Sequence, residues 1–267
     1  MSLALALLAL AGAHPSPAGG SACWFEQGVV VVSAEVAGIA GDFILDTAAP
    51  RTLIAETQAQ SAGYAEAQVT GDVRLAGRTI GGLAMAVQDL DVRTGLFATP
   101  IAGVIGADAL KGYVVDLSME PCRIALHPAG RAPALGRATA LPLTWIGGAP
   151  AIAASAADGP RVVTGAFVLA TGSDTAVRLN DRLAAAPDAA KPQELYPYGQ
   201  LRPRLRALSV AGDIAEDVPA GLIKADPAEA GEIGAPLLFA WRVRFDFPAG
   251  RVLLAPKRKS PGSRRGP

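Results

Sequence analysis

The chain is poor in the residues on which most enzyme chemistry depends. It carries only two histidines, His14 and His127, two cysteines, Cys23 and Cys122, and 5% aromatic residues in a length of 267. No Cys-x-x-Cys or His-x-x-x-His spacing occurs, which argues against a metal centre. A Ser/His/Asp arrangement lacks a plausible base, and neither a Gly-rich phosphate loop nor a cofactor fingerprint is present, so no cofactor is expected. Charge of one sign is missing too: 24 Lys plus Arg balance 24 Asp plus Glu, leaving no global field to favour nucleic acid or an anionic membrane. Long hydrophobic runs are absent beyond Leu3–Ala11, which is too short to span a bilayer comfortably, so no stable membrane span is expected.

What remains is a globular composition with a β signature. Hydrophobic residues make up 51% of the chain, enough for sizeable cores, and short Val/Ile/Leu/Ala runs are cut repeatedly by 30 Gly and 21 Pro. The first 13 residues read as an export signal, with an apolar Leu/Ala segment followed by the small residues Ala11-Gly12-Ala13, although no Lys or Arg precedes them. The mature protein is then expected to be secreted or periplasmic. There Cys23 and Cys122 are free to pair, closing a loop of 99 residues for about 4 to 5 kcal/mol in the chain-entropy model; two unpaired buried thiols are the alternative.

Strands are expected over Val29–Val36 and Ile39–Leu45, joined by a turn at Ala37-Gly38. The second of them delivers Asp46 into the stretch FILDTAAPRTLI, Phe43–Ile54, where a carboxylate sits on a tight loop at a strand end. Thr52–Ala62 reads as a short helix or irregular turn, and Gly71–Val92 as strand-like runs around Ala76-Gly77 and Gly81-Gly82. In GVIGADAL, Gly103–Leu110, an apolar pair and Gly106 lead into a short helix, and a hairpin of Tyr113–Leu117 with Arg123–Leu126 closes the segment. Ala129–Ala140, rich in Ala, Gly, Pro and Arg, reads as a linker.

The pattern then repeats. AFVLATGSDTAV, Ala166–Val177, aligns with the first stretch so that Ala170, Thr171, Gly172 and Ser173 match Asp46, Thr47, Ala48 and Ala49 at an offset of 124. GEIGAPLL aligns with GVIGADAL, placing Ile233 and Gly234 on Ile105 and Gly106 at an offset of 128. Both copies run 22 residues further to a proline, through RIALHP in one and RVLLAP in the other. An internal duplication is the economical account. The implied layout is an N-terminal lobe at 24–128, a linker at 129–140, a C-terminal lobe at 141–256 and a basic, Pro/Gly-rich tail at 257–267 that reads as disordered.

A hairpin, an Asp-Thr-small-small loop, and then apolar-apolar-Gly leading into a short helix, 60 residues after the Asp and once per half, resembles the retropepsin-like and pepsin-like aspartic peptidases. The resemblance spans about Val29–Pro256. It implies two pseudo-symmetric, closed, barrel-like β lobes with a substrate cleft between them. Asp46 and Thr47 then occupy the catalytic loop, Ala48, Ala49, Ile105, Gly106, Ile233 and Gly234 support it, and Ala170, Thr171 and Gly172 form a degenerate second loop.

The departure lies in that second loop. The family's chemistry needs two carboxylates sharing one proton, one activating water and the other donating to the peptide carbonyl. Ala170 stands where the second acid belongs, so the acid half of the mechanism is missing, and the methyl of Ala48, where the family prefers Gly, could crowd the approach of the loops. Asp174 is one candidate for the missing carboxylate, though turn geometry points it elsewhere; the other is a second chain contributing its own Asp46 in a homodimer. The readings left are an aspartic-type endopeptidase acting on peptide or unfolded protein once a second carboxylate is supplied, and a pseudo-peptidase, monomeric or dimeric, that binds such a partner without turnover. Elsewhere, Asp108 is expected to cap its short helix, Asp116 and Asp246 to serve turns or edges, and Trp145 and Trp241 to anchor packing. Tyr196 and Tyr198 read as a surface loop that could serve as a flap.

Overall fold

The hairpin at the start of the chain shows how local sequence sets the architecture. In the computed structural model, which describes residues 20–184, 193–195 and 202–257, the chain opens with β1 (Ser21–Glu26), β2 (Val29–Val36) and β3 (Ile39–Leu45). Ala37 and Gly38 both take left-handed φ, 50° and 80°, the turn that matches strand twist in a two-residue hairpin. Gly38 adopts it freely, whereas Ala37 is held by its amide to the Asp72 carbonyl at 2.9 Å and by the Tyr64 hydroxyl on its own carbonyl at 2.8 Å. All four consecutive valines of β2 are buried, because the strand is covered on both faces: Val30 and Val32 enter the main core, Val29 and Val31 a smaller one shared with Ile44 and Val104.

The first half continues through β4 (Leu53–Ala55), α1 (Glu56–Ser61), β5 (Gln68–Leu75), β6 (Arg78–Gln88), α2 (Asp91–Thr94), β7 (Ile101–Ile105), α3 (Ala107–Leu110), β8 (Val114–Met119) and β9 (Cys122–His127). Strands β2, β3, β7, β4, β6 and β5 pair in that order, and β5 pairs back onto β2, closing a six-stranded barrel. The Gly81-Gly82 dipeptide lies inside β6 rather than at a turn, opposite a register shift between Gly71 and Val73.

The second half runs through β10 (Thr139–Pro142), β11 (Thr144–Ile146), β12 (Ala149–Asp158), β13 (Arg161–Ala170), β14 (Val177–Asn180), α4 (Asp181–Ala184), β15 (Gln193–Leu195), β16 (Arg202–Val210), β17 (Asp213–Ile223), β18 (Glu229–Gly234), α5 (Ala235–Leu238), β19 (Trp241–Asp246) and β20 (Arg251–Pro256). Here β12, β13, β18, β14, β17 and β16 close a second ring, so the mainly β, two-barrel architecture expected from the repeat is present.

The two closing hairpins do not stay within their lobes. β8 of the first pairs with β19 of the second, giving a shared sheet in the order β10-β20-β19-β8-β9-β1. Residues 139 and 140, read as the end of a linker, are therefore strand. Cys23 of β1 and Cys122 of β9 are joined by a disulfide, S–S 1.99 Å, beside the β1–β9 ladder.

Asp116 and Asp108 take other places than the sequence suggested, whereas Asp246 flanks the β19–β20 turn as expected. Asp116 lies within β8 and receives Arg244 of β19 at 2.5 and 2.7 Å, with His127 at 3.2 Å, so it is an inter-lobe ion-pair partner rather than a turn residue. Its hydrogen bond also raises the Arg244 guanidinium above its ordinary value. Asp108 accepts from the amide and hydroxyl of Thr52 at 3.0 and 2.8 Å and does not cap α3, whose N-cap is Gly106 with no side-chain cap bond. Asp246 ends β19 in a 3.0 Å ion pair with Arg251. Trp145 is exposed, lying against Phe247, and Trp241 is partly buried, donating to Asp213 at 3.2 Å. The 1–13 signal segment, Tyr196, Tyr198 and all of the tail but Lys257 lie outside the described residues. Among those residues no helix is long and apolar enough to cross a membrane.

Candidate functional site

Each half delivers its loop by the same device. β3 runs parallel to β7, and β13 runs parallel to β18, so the ends of β3 and β13 meet the Gly106 and Gly234 turns. Asp46 N–H bonds to the Ile105 carbonyl at 3.0 Å, and Ala107 N–H to the Ala49 carbonyl at 2.8 Å. The counterpart in the second lobe is Ala235 N–H on the Ser173 carbonyl at 3.1 Å. Both glycines have ordinary extended φ, so the requirement is for space: a Cβ on Gly106 would stand 2.5 Å from the Arg51 carbonyl carbon, and one on Gly234 would stand 2.0 Å from the Thr175 oxygen. Ile105 and Ile233 beside them are fully buried.

Thr47 and Thr171 lock the two loops together. Each backbone amide donates to the other's hydroxyl, at 3.1 and 3.2 Å. Each hydroxyl then donates to a carbonyl across the pseudo-dyad, Thr47 to Leu169 at 2.5 Å and Thr171 to Leu45 at 2.6 Å. With exposures of 1% and 0%, the pair is a sealed polar knot in which both amides and both hydroxyls are hydrogen-bonded.

Asp46 is buried above this knot with both oxygens engaged. Oδ1 accepts from the Ala48 amide at 3.0 Å, and Oδ2 accepts from Arg93 Nη2 at 2.7 Å. The same Arg93 nitrogen reaches the Gly172 carbonyl at 3.1 Å, tying α2 to both loops. Gly172 permits the approach, since a Cβ there would lie 2.4 Å from Asp46 Cγ. Ala170, 1% exposed, lines the same cleft and supplies only a methyl. The methyl of Ala48 does not hold the loops apart; it packs on Ala149, Ala151 and Val168 of the second lobe, with Ala49 against the first-lobe cluster of Val29 and Ile44.

The cleft above these loops has a volume of about 480 Å³, within the range of ligand sites. Val29, Ile44, Leu96 and Phe97 form an apolar wall, and Asp46, Arg93, Arg178 and Glu232 the polar floor. The acidic group that the sequence reading overlooked is Glu232. Burial raises its carboxyl; the Ser173 hydroxyl and Arg178 oppose the rise, nearby Asp46 adds to it, and Arg93 again opposes. Asp174, expected to point away, lines the cleft and bonds Arg178 at 2.6 Å. Glu232 was detectable in principle, because its partner in the repeat is Val104 and a charge in an otherwise apolar run is anomalous. Arg93 left no comparable signal. Among the described residues no cluster suited to a metal ion occurs.

No family model and no curated protein matches the chain. Among solved structures it is similar to an aspartic proteinase from Irpex lacteus, with a TM-score of 0.58 and 13% identity over 92% of this chain and 99% of that one. At that identity the likeness shows the fold: a bilobal aspartic-peptidase architecture.

Proposed function

We propose that this protein is a catalytically degenerate member of that architecture, which holds an extended peptide segment of a partner in its inter-lobe cleft without cleaving it. The observation that carries the reading is the Arg93–Asp46 ion pair beside Ala170. Peptide hydrolysis by this fold requires one carboxylate to activate water while a second, protonated one donates to the carbonyl. Here a guanidinium occupies the Oδ2 of Asp46, an amide occupies Oδ1, and the residue opposite is a methyl. Glu232 does not restore the pair: no hydrogen bond joins the two carboxylates, and Glu232 faces Arg178 at 3.4 Å. The rigid loops, the apolar wall and the polar floor are left to bind. Export to a secreted or periplasmic compartment fits the Cys23–Cys122 disulfide and the apolar Leu3–Ala11 segment.

The competing reading, hydrolysis by Asp46 with Glu232 as acid, draws on the raised carboxyl of Glu232 in the same cleft. One experiment separates them. Purified mature protein incubated with an alkylated, unfolded substrate protein between about pH 3 and 7 is expected to leave it intact. Pepstatin-sensitive cleavage that disappears in Asp46→Asn would overturn the binding reading.

A further inference from the structure

The duplication supplies an internal control for the cleft. Two facing positions are apolar in the first lobe, Ala49 and Val104, and both are polar in the second, where Ser173 and Glu232 replace them. The same barrel closes in the first lobe without either polar group, so the fold does not require them. Burying a hydroxyl and a carboxylate costs stability unless their hydrogen bonds are completed. Neither is completed here. Ser173 is 4% exposed, and its Oγ lies close enough to Glu232 to hold that carboxyl down but makes no well-formed hydrogen bond to any partner. Glu232 is 7% exposed, and its ion pair with Arg178 Nη1 is long, at 3.4 Å, while Arg178 Nη2 bonds Asp174 at 2.6 Å.

Resting on the peptide-binding reading, we propose that Ser173 and Glu232 form a cation subsite in the cleft, which takes the ammonium or guanidinium of a basic side chain on the bound peptide. Asp46, Asp174 and Glu232 line the cleft against Arg93 and Arg178, leaving one carboxylate in excess. Arg93 is committed to Asp46 at 2.7 Å, so the excess falls on the Glu232 side. An incoming cation supplies the donors that Glu232 lacks and gives the Ser173 hydroxyl a group to accept from. The apolar wall of Val29, Ile44, Leu96 and Phe97 seats the rest of the peptide, and an aliphatic stem can lie along such a surface while its head stays polar.

The groups facing Glu232 set its pH behaviour. They are Asp46 at the end of β3, Arg93 on α2, Arg178 on β14, Ser173 on the second loop and Glu229 on its own strand. Burial without full compensation favours the protonated form, and a bound cation favours the ionised one. Cation binding therefore weakens as acid protonates Glu232.

The test uses the full mature chain and acetyl-Leu-Leu-Lys-Leu-Leu-amide, with counterparts carrying norleucine or glutamate at the central position. Calorimetry at about pH 7.5 is expected to show the lysine peptide binding on the order of tenfold tighter than the norleucine peptide, with the glutamate peptide weakest. That preference should vanish in Glu232→Gln and shrink in Ser173→Ala. In the wild-type protein, carbon-detected NMR should show the Glu232 titration moving to lower pH when the lysine peptide is bound, a readout independent of whether either variant folds. Equal affinity for the lysine and norleucine peptides, or a Glu232 titration unmoved by the lysine peptide, overturns the cation subsite while the binding cleft stands. Failure of all three peptides to bind overturns the cleft reading with it.

Discussion

Replacing Thr47 by Val tests whether the threonine knot is what joins the two loops. Valine keeps the shape and volume of threonine, so no cavity opens and the effect isolates the hydroxyl. Its loss orphans two buried groups at once, the Leu169 carbonyl that accepted from Oγ1 at 2.5 Å and the Thr171 amide that donated to it at 3.2 Å. Each unsatisfied buried group costs about 1–3 kcal/mol, so the variant should lose roughly 2–6 kcal/mol. For a chain of this size that lowers the melting temperature by roughly 5–20 °C. Thr47→Ser is the control: it keeps the hydroxyl and sheds one buried methyl, for about 1 kcal/mol. Because the knot is reciprocal, Thr171→Val should behave alike through the Leu45 carbonyl and the Thr47 amide. Urea titrations followed by tryptophan fluorescence give the comparison. If Thr47→Val unfolds no more easily than Thr47→Ser, the hydroxyl is not what fastens the loops and the reasoning fails.

Two further outcomes follow from the same structure. Gly234→Ala should be destabilised by several kcal/mol although φ of −87° suits alanine, because its Cβ would meet the Thr175 backbone oxygen at 2.0 Å; an unfolding midpoint within error of the parent would show that the neighbouring loop yields freely. Glu229 has its carboxyl pushed up from 4.5 to about 7, by burial first and then by Glu232 and Asp226. A raised folded-state value means that stability is fully present below about pH 4.5 and is lost as pH rises through about 7, so Glu229→Gln should gain on the parent at pH 8 but not at pH 4. An identical offset in urea midpoint at the two pH values would remove Glu229 as the source.

Much of the scaffold was determined by the sequence alone. The β2–β3 hairpin fell on Val29–Val36 and Ile39–Leu45 because short apolar runs and the Ala37-Gly38 turn between them are local properties, read without knowing the rest of the chain. The repeat offsets of 124 and 128 carried the two-barrel fold and put Ala170 opposite Asp46, since equal loops at equal strand ends must meet about a pseudo-dyad. Other features rest on contacts between residues far apart in the chain, which leave no local pattern. The closing hairpins could have paired within their own lobes; instead β8 joins β19 and Arg244 finds Asp116, 128 positions away. The salt link from Arg93 to Asp46 spans 47 positions from a four-residue helix and leaves no periodicity to read. Sequence could show that Ala170 stands at the position that repeats Asp46, but only the tertiary structure shows what Asp46 holds. An unpaired carboxylate buried in a cleft needs a counter-charge, and which cation reaches it depends on where the chain folds back.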